Sequence, residues 1–488
     1  MGRVFPVVVS VLLPVATGCA QLVGIDETRN TGRTNTAELT RVSIGATVSI
    51  APTDLTGLAA TYLVDEGGKL NRVAADRGAA AGTWTAHLPD PTPIELTAAE
   101  DAFPHLFAFP TMQLELADKQ LEHPDPVPAR SDATIALSVP LDVASTATDL
   151  FAALAVGAWT ERDFSVQEVP AGTTSIALTY PYSTSKRLGS SSTTLDAITT
   201  DDAFVVLRYA DAGSTLTGVA EPPAFNQTGA DTVTTGPMVP VTADQTLEVK
   251  VDQAALASRF AMVRPLVSSP SAQWRVVAAP GYRYAIPVGP QLMAGSLVMD
   301  DVGVSAVFGN PFVERGWRSL FELEASGTRT FTPLGGMAQI TLHAALRQFI
   351  EPGTQSTVLD LAAGLPTLIS LDGVPLSADG QSIAAPHDVA RVSFTSDTGN
   401  ATRSNLEIFD FIAATADTGP EVHQVYGAQS REQTFEIPPE IFEVGHTYVI
   451  RAGCVFGGFP NIESGDLATQ ELPVSFSTVD SAVFTVTP

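Results

Sequence analysis

The chain has 488 residues, a formal net charge of −27 and a sequence pI near 4.4, and 44% of its residues are hydrophobic. That much apolar material fills packed cores, which excludes global disorder. The acidity excludes a nucleic-acid binder, because phosphates need Lys and Arg to displace their counterions.

Residues 1–18 open with Met1-Gly2-Arg3, followed by an apolar run over 4–15 and then small residues. A basic start, a short apolar stretch and small residues before a cut describe a secretory signal. The run is too short to span about 30 Å of hydrocarbon, and Pro6 and Pro14 disturb it as a helix. Ala16-Thr17-Gly18-Cys19 resembles the lipobox of bacterial lipoproteins, with Ala16 where that family prefers Leu. The resemblance implies cleavage between Gly18 and Cys19, a diacylglycerol thioether on Cys19 and acylation of its new amino group. Membrane lipid is then the first expected partner, and two or more acyl chains give stable anchoring. Ala20 is not the aspartate that holds Gram-negative lipoproteins in the inner membrane, so the outer membrane is the expected address.

The stretch 19–38 is polar, with Gly24, Gly32 and several Thr and Asn, and reads as a flexible tether. From Thr40 the pattern turns to period two, the mark of a half-buried strand. Val42, Ile44, Val48 and Ile50 alternate with polar residues and read as one strand. The signature recurs at Ile135, Leu137 and Val139, at Ile176, Leu178 and Tyr180, and at Leu247, Val249 and Val251. Phe204-Val205-Val206-Leu207 reads as a strand buried on both faces. Asp252 to Phe260 reads as a short capped helix; Ile340 to Ile350 fits either period, and its β-rich setting favours a strand. Many short strands between Gly-, Pro- and Asp-rich turns predict an all-β chain of tandem antiparallel β-sandwiches. At roughly 100–200 residues per domain, three or four are expected. Proline-rich breaks at 122–128 and 351–353, and a split near 263–271 of a middle too long for one sandwich, place them at 39–122, 129–262, 263–350 and 351–488, with no fixed-period repeat visible between them.

The last of these carries Phe442, Gly445 and Tyr448, which resembles the Leu-x-x-Gly-x-x-Tyr element of fibronectin type III and immunoglobulin-like domains. A sandwich is expected over 352–488; Tyr448 and Ile450, two apart on a strand, share a face and are expected to pack against Phe394 or Phe409 from the facing sheet. A lipobox, then Gln21-Leu22-Val23-Gly24-Ile25-Asp26, then β-modules is similar to uncharacterised lipoproteins of myxobacterial type, and that resemblance implies no activity.

Chemistry is sparse. Once Cys19 goes to lipid, Cys454 is left without a disulfide partner, and its apolar setting predicts burial. The seven histidines are scattered and none pairs at metal-ligand spacing. Ser183-Thr184-Ser185-Lys186 matches Ser-x-x-Lys but lacks the helical context that motif needs. No cofactor is expected; Asp201-Asp202 and Asp300-Asp301 are the residues a calcium ion would use, though neither fits a calcium loop. Trp274, Arg275, Tyr282, Arg283 and Tyr284 form the densest aromatic–basic cluster and are the expected platform for a protein or glycan ligand. The composite expectation is a non-enzymatic, lipid-anchored envelope protein. The alternative is a cell-surface hydrolase, a glycosidase or peptidase, whose active site is assembled from distant residues.

Overall fold

A computed structural model describes residues 34–45, 48–88, 90–97, 103–120, 123, 127–188, 195–280, 289–297, 303–331, 340–353, 357–359, 361–412 and 421–488. The signal, the lipobox and most of the expected tether lie outside the described residues.

The period-two stretches are strands. Thr134–Pro140 and Gln245–Val251 bury alternate residues, and Phe204–Ala210 is buried on both faces. Ile340–Ile350 is a strand that pairs along its whole length with Arg318–Phe331. The helix Gln253–Phe260 is capped by Asp252, whose carboxylate accepts from the Ala255 N–H at 2.8 Å. Over 40–50 the alternation belongs to two strands, not one. Asn35–Ile44 and Val48–Pro52 form a hairpin that pairs Val42 with Ile50. A hairpin keeps the period on both arms, so alternation alone cannot reveal the turn.

Pairing resolves four sandwich units with a common plan. In the first, Ala59–Asp65 lies between Leu70–Ala74 and Ile94–Thr97, and His105–Ala108 extends the sheet. The facing sheet centres on Asn35–Ile44, which takes Thr83–Ala86 antiparallel and Gln113–Gln120 parallel. The second unit repeats this order around Leu150–Ala155, with Thr134–Pro140 facing it. The third repeats it around Ser271–Ala279, with Gln245–Val251 facing it. Gln245–Val251 therefore pairs forward, with Gly303–Phe308 and Thr357–Leu359, so the third unit starts before the junction that the sequence suggested at 263. The fourth unit keeps the larger sheet, around Arg403–Ile412. In its smaller sheet Ala390–Ser396 takes Pro366–Leu371 antiparallel, where the other units have a trailing parallel strand.

The units are fused edge to edge. His105–Ala108 of the first pairs in parallel with Glu421–Ser430 of the fourth. Val474–Asp480 of the fourth pairs with Ile340–Ile350 of the third. Gln291–Leu297 of the third meets Thr215–Ala220 of the second through Met293 and Thr215. The result, among the described residues, is one 20-stranded sheet backed by four smaller sheets. Each shared edge satisfies backbone groups that a separate sandwich would leave open to aggregation. Side chains close the circuit between the second unit and the first. Trp159 is fully buried, stacks on Trp317 of the third unit at 5.8 Å, and donates its indole N–H to the Ile44 carbonyl.

The central sheet is buried on both faces. Val276, Phe321 and Leu346 belong to the largest core. Val277, Leu320 and Phe349, on the same strands, and Val455, on Thr447–Gly457, join a second core with Ala37, Trp84 and Leu114 of the first unit.

The fourth unit is antiparallel β, as expected, but the partners of Tyr448 differ from those expected. Its ring meets Phe442 edge-on at 5.4 Å and Phe484 at 5.9 Å, while its hydroxyl accepts from the Glu443 N–H at 2.8 Å. Gly445 makes the intervening turn at φ +91°, where a Cβ would be strained. Phe409 does not face Tyr448: it lies under the Arg451 guanidinium at 4.9 Å. Tyr448→Ala is expected to cost on the order of 3–5 kcal/mol, and Tyr448→Phe, which only strips the acceptor from the Glu443 N–H, about 1 kcal/mol. Urea midpoints of the full chain and both variants measure this; equal losses would mean that the ring packing contributes nothing.

Candidate functional site

The seam between the first and fourth units gathers the most unusual chemistry. Pairing places His105 opposite both Leu96 and Gly427, and Leu106 opposite both Glu95 and Ala428. Residues paired in this way share a face, so the seam has two distinct sides.

On one side is Glu95, almost wholly buried. It accepts from Arg72 Nε at 2.6 Å and from the Tyr426 hydroxyl at 2.9 Å. Arg72 also bonds Glu440 of the fourth unit. A buried carboxylate survives only when paired and hydrogen-bonded, and here the pairing crosses the seam. Burial and the neighbouring Glu95 push the Tyr426 phenol well up, so it stays a donor.

The other side is basic. The His105 imidazole lies against Gly427, where any Cβ would come within 2.5 Å of Nδ1; glycine is required to admit the ring. Arg403 lies over the Phe459 ring at 4.3 Å, and its Nη1 donates to Gln429 Oε1 at 3.0 Å. Lys119 Nζ donates to Gln470 Oε1 at 2.7 Å. Burial, and then the nearby Arg403, push His105 down to about 4 and Lys119 down to about 7. Burial alone pushes Arg403 down to about 10. Sequence reading missed this group because its members come from three separate segments; only the scarcity of lysine marked Lys119 as unusual.

The residues singled out from sequence are placed as follows. Trp274 and Arg275 are neighbours on a strand and so point to opposite faces. Trp274 packs on Phe321 at 6.4 Å with Gly295 beneath its ring, while Arg275 pairs with Glu322. Tyr282, Arg283, Tyr284, Gly18, Cys19, Asp300 and Asp301 lie outside the described residues. Asp202 is a buried partner of His123 at 3.2 Å and accepts from the Thr199 N–H at 2.6 Å. No group of three or more metal-type ligands is placed to hold an ion among the described residues. Ser183 and Thr184 sit in a 3-10 turn, and Lys186 pairs with Asp163 at 2.6 Å. Cys454 is buried, and desolvation pushes its thiol up to about 12. A separate groove of about 530 Å³, lined by Val219, Glu221, Pro237, Val239, Pro240 and Pro311, opens between the second and third units.

The sequence matches no protein-family model and no curated protein.

The seam sets a pH response. Unfolded His105 takes up a proton near its ordinary value of 6.5, whereas in the fold it does so only near 4. Stability is therefore fully present above about 6.5 and is lost as pH falls toward 4. His446 acts in the opposite sense: its bond to Asp410 raises its pKa, so its contribution is present at low pH and lost as pH rises through the raised value. His105→Gln is expected to flatten the acid side of the stability curve, and His446→Gln is not. Urea midpoints across that range check this; an unchanged slope in His105→Gln would refute it. Thiolate is the reactive form, so Cys454 is expected to resist iodoacetamide in the native chain and to react in denaturant, as read by peptide mass.

Proposed function

We propose that this protein is a lipid-anchored component of the bacterial cell envelope, held through acylated Cys19, with a binding, adhesion or structural role. The observation that carries the reading is the fused body itself. Four sandwich units share one sheet and two cores that run across unit boundaries. Such a body presents side chains at fixed positions, which suits recognition or load-bearing. The first described strand starts at Asn35, 16 positions after Cys19. A connection of that length reaches at most about 55 Å, which keeps the body within reach of the membrane it is tied to. Ala20 supports the outer membrane as the address, and a protein or glycan is the ligand class for which such a surface is suited.

The hydrolase alternative has one specific observation behind it. Glu161 and Asp163 are two apart on one strand and share a face. Burial, and then Asp163, push Glu161 up to about 7, while Asp163 pairs with Lys186. A carboxyl group held protonated near neutrality beside a second carboxylate is the raw material of glycosidases. The fused body outweighs this pair, because Lys186 already occupies Asp163.

Cys19→Ser is expected to abolish incorporation of labelled fatty acid and to move the chain from the membrane to the soluble fraction. A mature wild-type chain that begins elsewhere than Cys19, or carries no acyl mass, would overturn the anchor. Polysaccharide hydrolysis by the wild type that is lost in Glu161→Gln would replace the non-enzymatic reading with the alternative.

A further inference from the structure

We propose that the free edge of Gly303–Phe308 in the third unit is a self-association surface, where a second copy of this chain pairs with it antiparallel about a two-fold axis. The inference goes beyond the role proposed above and depends neither on the anchor nor on a ligand.

Three arguments converge. The first is a comparison among the units. A sheet edge presents open N–H and C=O groups, and proteins blunt it with charge, proline, a bulge or a covering strand. In the first unit the strand equivalent to Gly303–Phe308 is Thr83–Ala86, and the exposed pair Asp76–Arg77 covers its outer side. In the second it is Ser175–Pro181, whose last residue has no N–H to offer. In the fourth, Val374–Pro375 covers one edge of the smaller sheet, and Glu436, paired with Arg391, charges the other. Gly303–Phe308 has none of these devices. It reads Gly-Val-Ser-Ala-Val-Phe, and its register against Gln245–Val251 runs without a shift. Among the described residues that strand is its one ladder partner.

The second argument is self-complementarity. Ser305 and Val307 face solvent, with Val307 54% exposed, while Val304, Ala306 and Phe308 face the core. Opposed residues of a ladder must lie on one face, so the two-fold axis passes through a residue and not between two. Placed on Ser305, it sets Gly303 against the second copy's Val307, and Val304 against the second copy's Ala306. A small residue then meets a larger one at both pairs. Gly303 is held small for its own reason: a Cβ there would come within 2.1 Å of the Val249 carbonyl oxygen. Directly opposed side chains are the contacts that stabilise a ladder, and this register covers the exposed Val307.

The third argument is charge and habit. The chain already joins its own units through strand edges, and a second copy repeats that mode. Two bodies of net charge −27 repel one another, so a self-contact belongs where charge is absent. No residue of Gly303–Phe308 is charged. The strand beside it turns Thr246, Glu248 and Lys250 outward, with one charge of each sign. Pairing about a two-fold axis joins two small sheets into one and uses the same edge of both copies, so it closes as a dimer and does not propagate.

The test is sedimentation velocity of the full chain in detergent across micromolar concentrations. The wild type should sediment as a dimer that dissociates on dilution, and added salt should tighten it by screening the repulsion. Val307→Lys changes an exposed side chain, so it should keep the melting temperature while weakening dimerisation at least tenfold. That variant carries the same N-terminus as the wild type, so crowding in a micelle is not mistaken for pairing. Ser305→Cys should give a disulfide-linked dimer on mild oxidation, because the two copies' positions face one another within disulfide reach. Glu248→Cys, exposed one strand further in, should not, and buried Cys454 does not compete. A monomer at every concentration, species larger than a dimer, equal affinity in Val307→Lys, or no cross-link in Ser305→Cys would each overturn the assignment.

Discussion

Backbone hydrogen bonding between the edges of neighbouring sandwiches is the constraint on which the rest of this structure depends. An isolated sandwich ends in strands with open N–H and C=O groups, and proteins must pair, cover or charge them. Here the edges are spent on one another. His105–Ala108 adds to Glu421–Ser430, and Val474–Asp480 adds to Ile340–Ile350. The order of the units in space, first to fourth to third to second, is therefore not their order in the chain. Once that order is set, Trp159 and Trp317 can stack and the indole of Trp159 can reach Ile44, which brings the second unit back to the first. Main-chain pairing joins three of the four contacts in this circuit, and buried aromatic packing completes it.

The strands themselves were legible because each obeys a local rule. Period two at Ile135, Leu137 and Val139 needs only a buried face and a wet one, and the structure has both. The capped helix after Asp252 was legible for the same reason. What sequence does not carry is partner choice. Gly427 and His105 are 322 positions apart, and nothing at either position specifies the other. The shared plan of the first three units is likewise invisible as a repeat, since strand order is conserved by hydrogen bonding and any sufficiently apolar alternating sequence satisfies it. The fourth unit was the most readable because Phe442, Gly445 and Tyr448 form a local turn-and-ring device whose parts are close in sequence.

The candidate site divides along the same line. Trp274 and Arg275 looked like one platform because they are adjacent, yet adjacency on a strand sends side chains to opposite faces. One ring joined the core and one guanidinium took Glu322. The basic group at the seam escaped notice for the converse reason. His105, Lys119 and Arg403 are unremarkable singly, and they become a site only when two units share an edge.

The two sides of the seam also explain each other. On the acidic side, Arg72 bridges Glu95 and Glu440, Tyr426 donates to Glu95, and these contacts tie the first unit to the fourth. That side already supplies polar attraction across the boundary, and the apolar contacts of Leu106 and Tyr426 supply core packing. A junction secured in this way tolerates costly burial on its opposite face, where desolvation pushes the His105 imidazole down to about 4 and the Lys119 ammonium down to about 7. Local violations of good pairing persist where the surrounding structure over-determines them. The acidic clasp is that over-determination, and the basic group can be held open toward solvent because the clasp lies behind it.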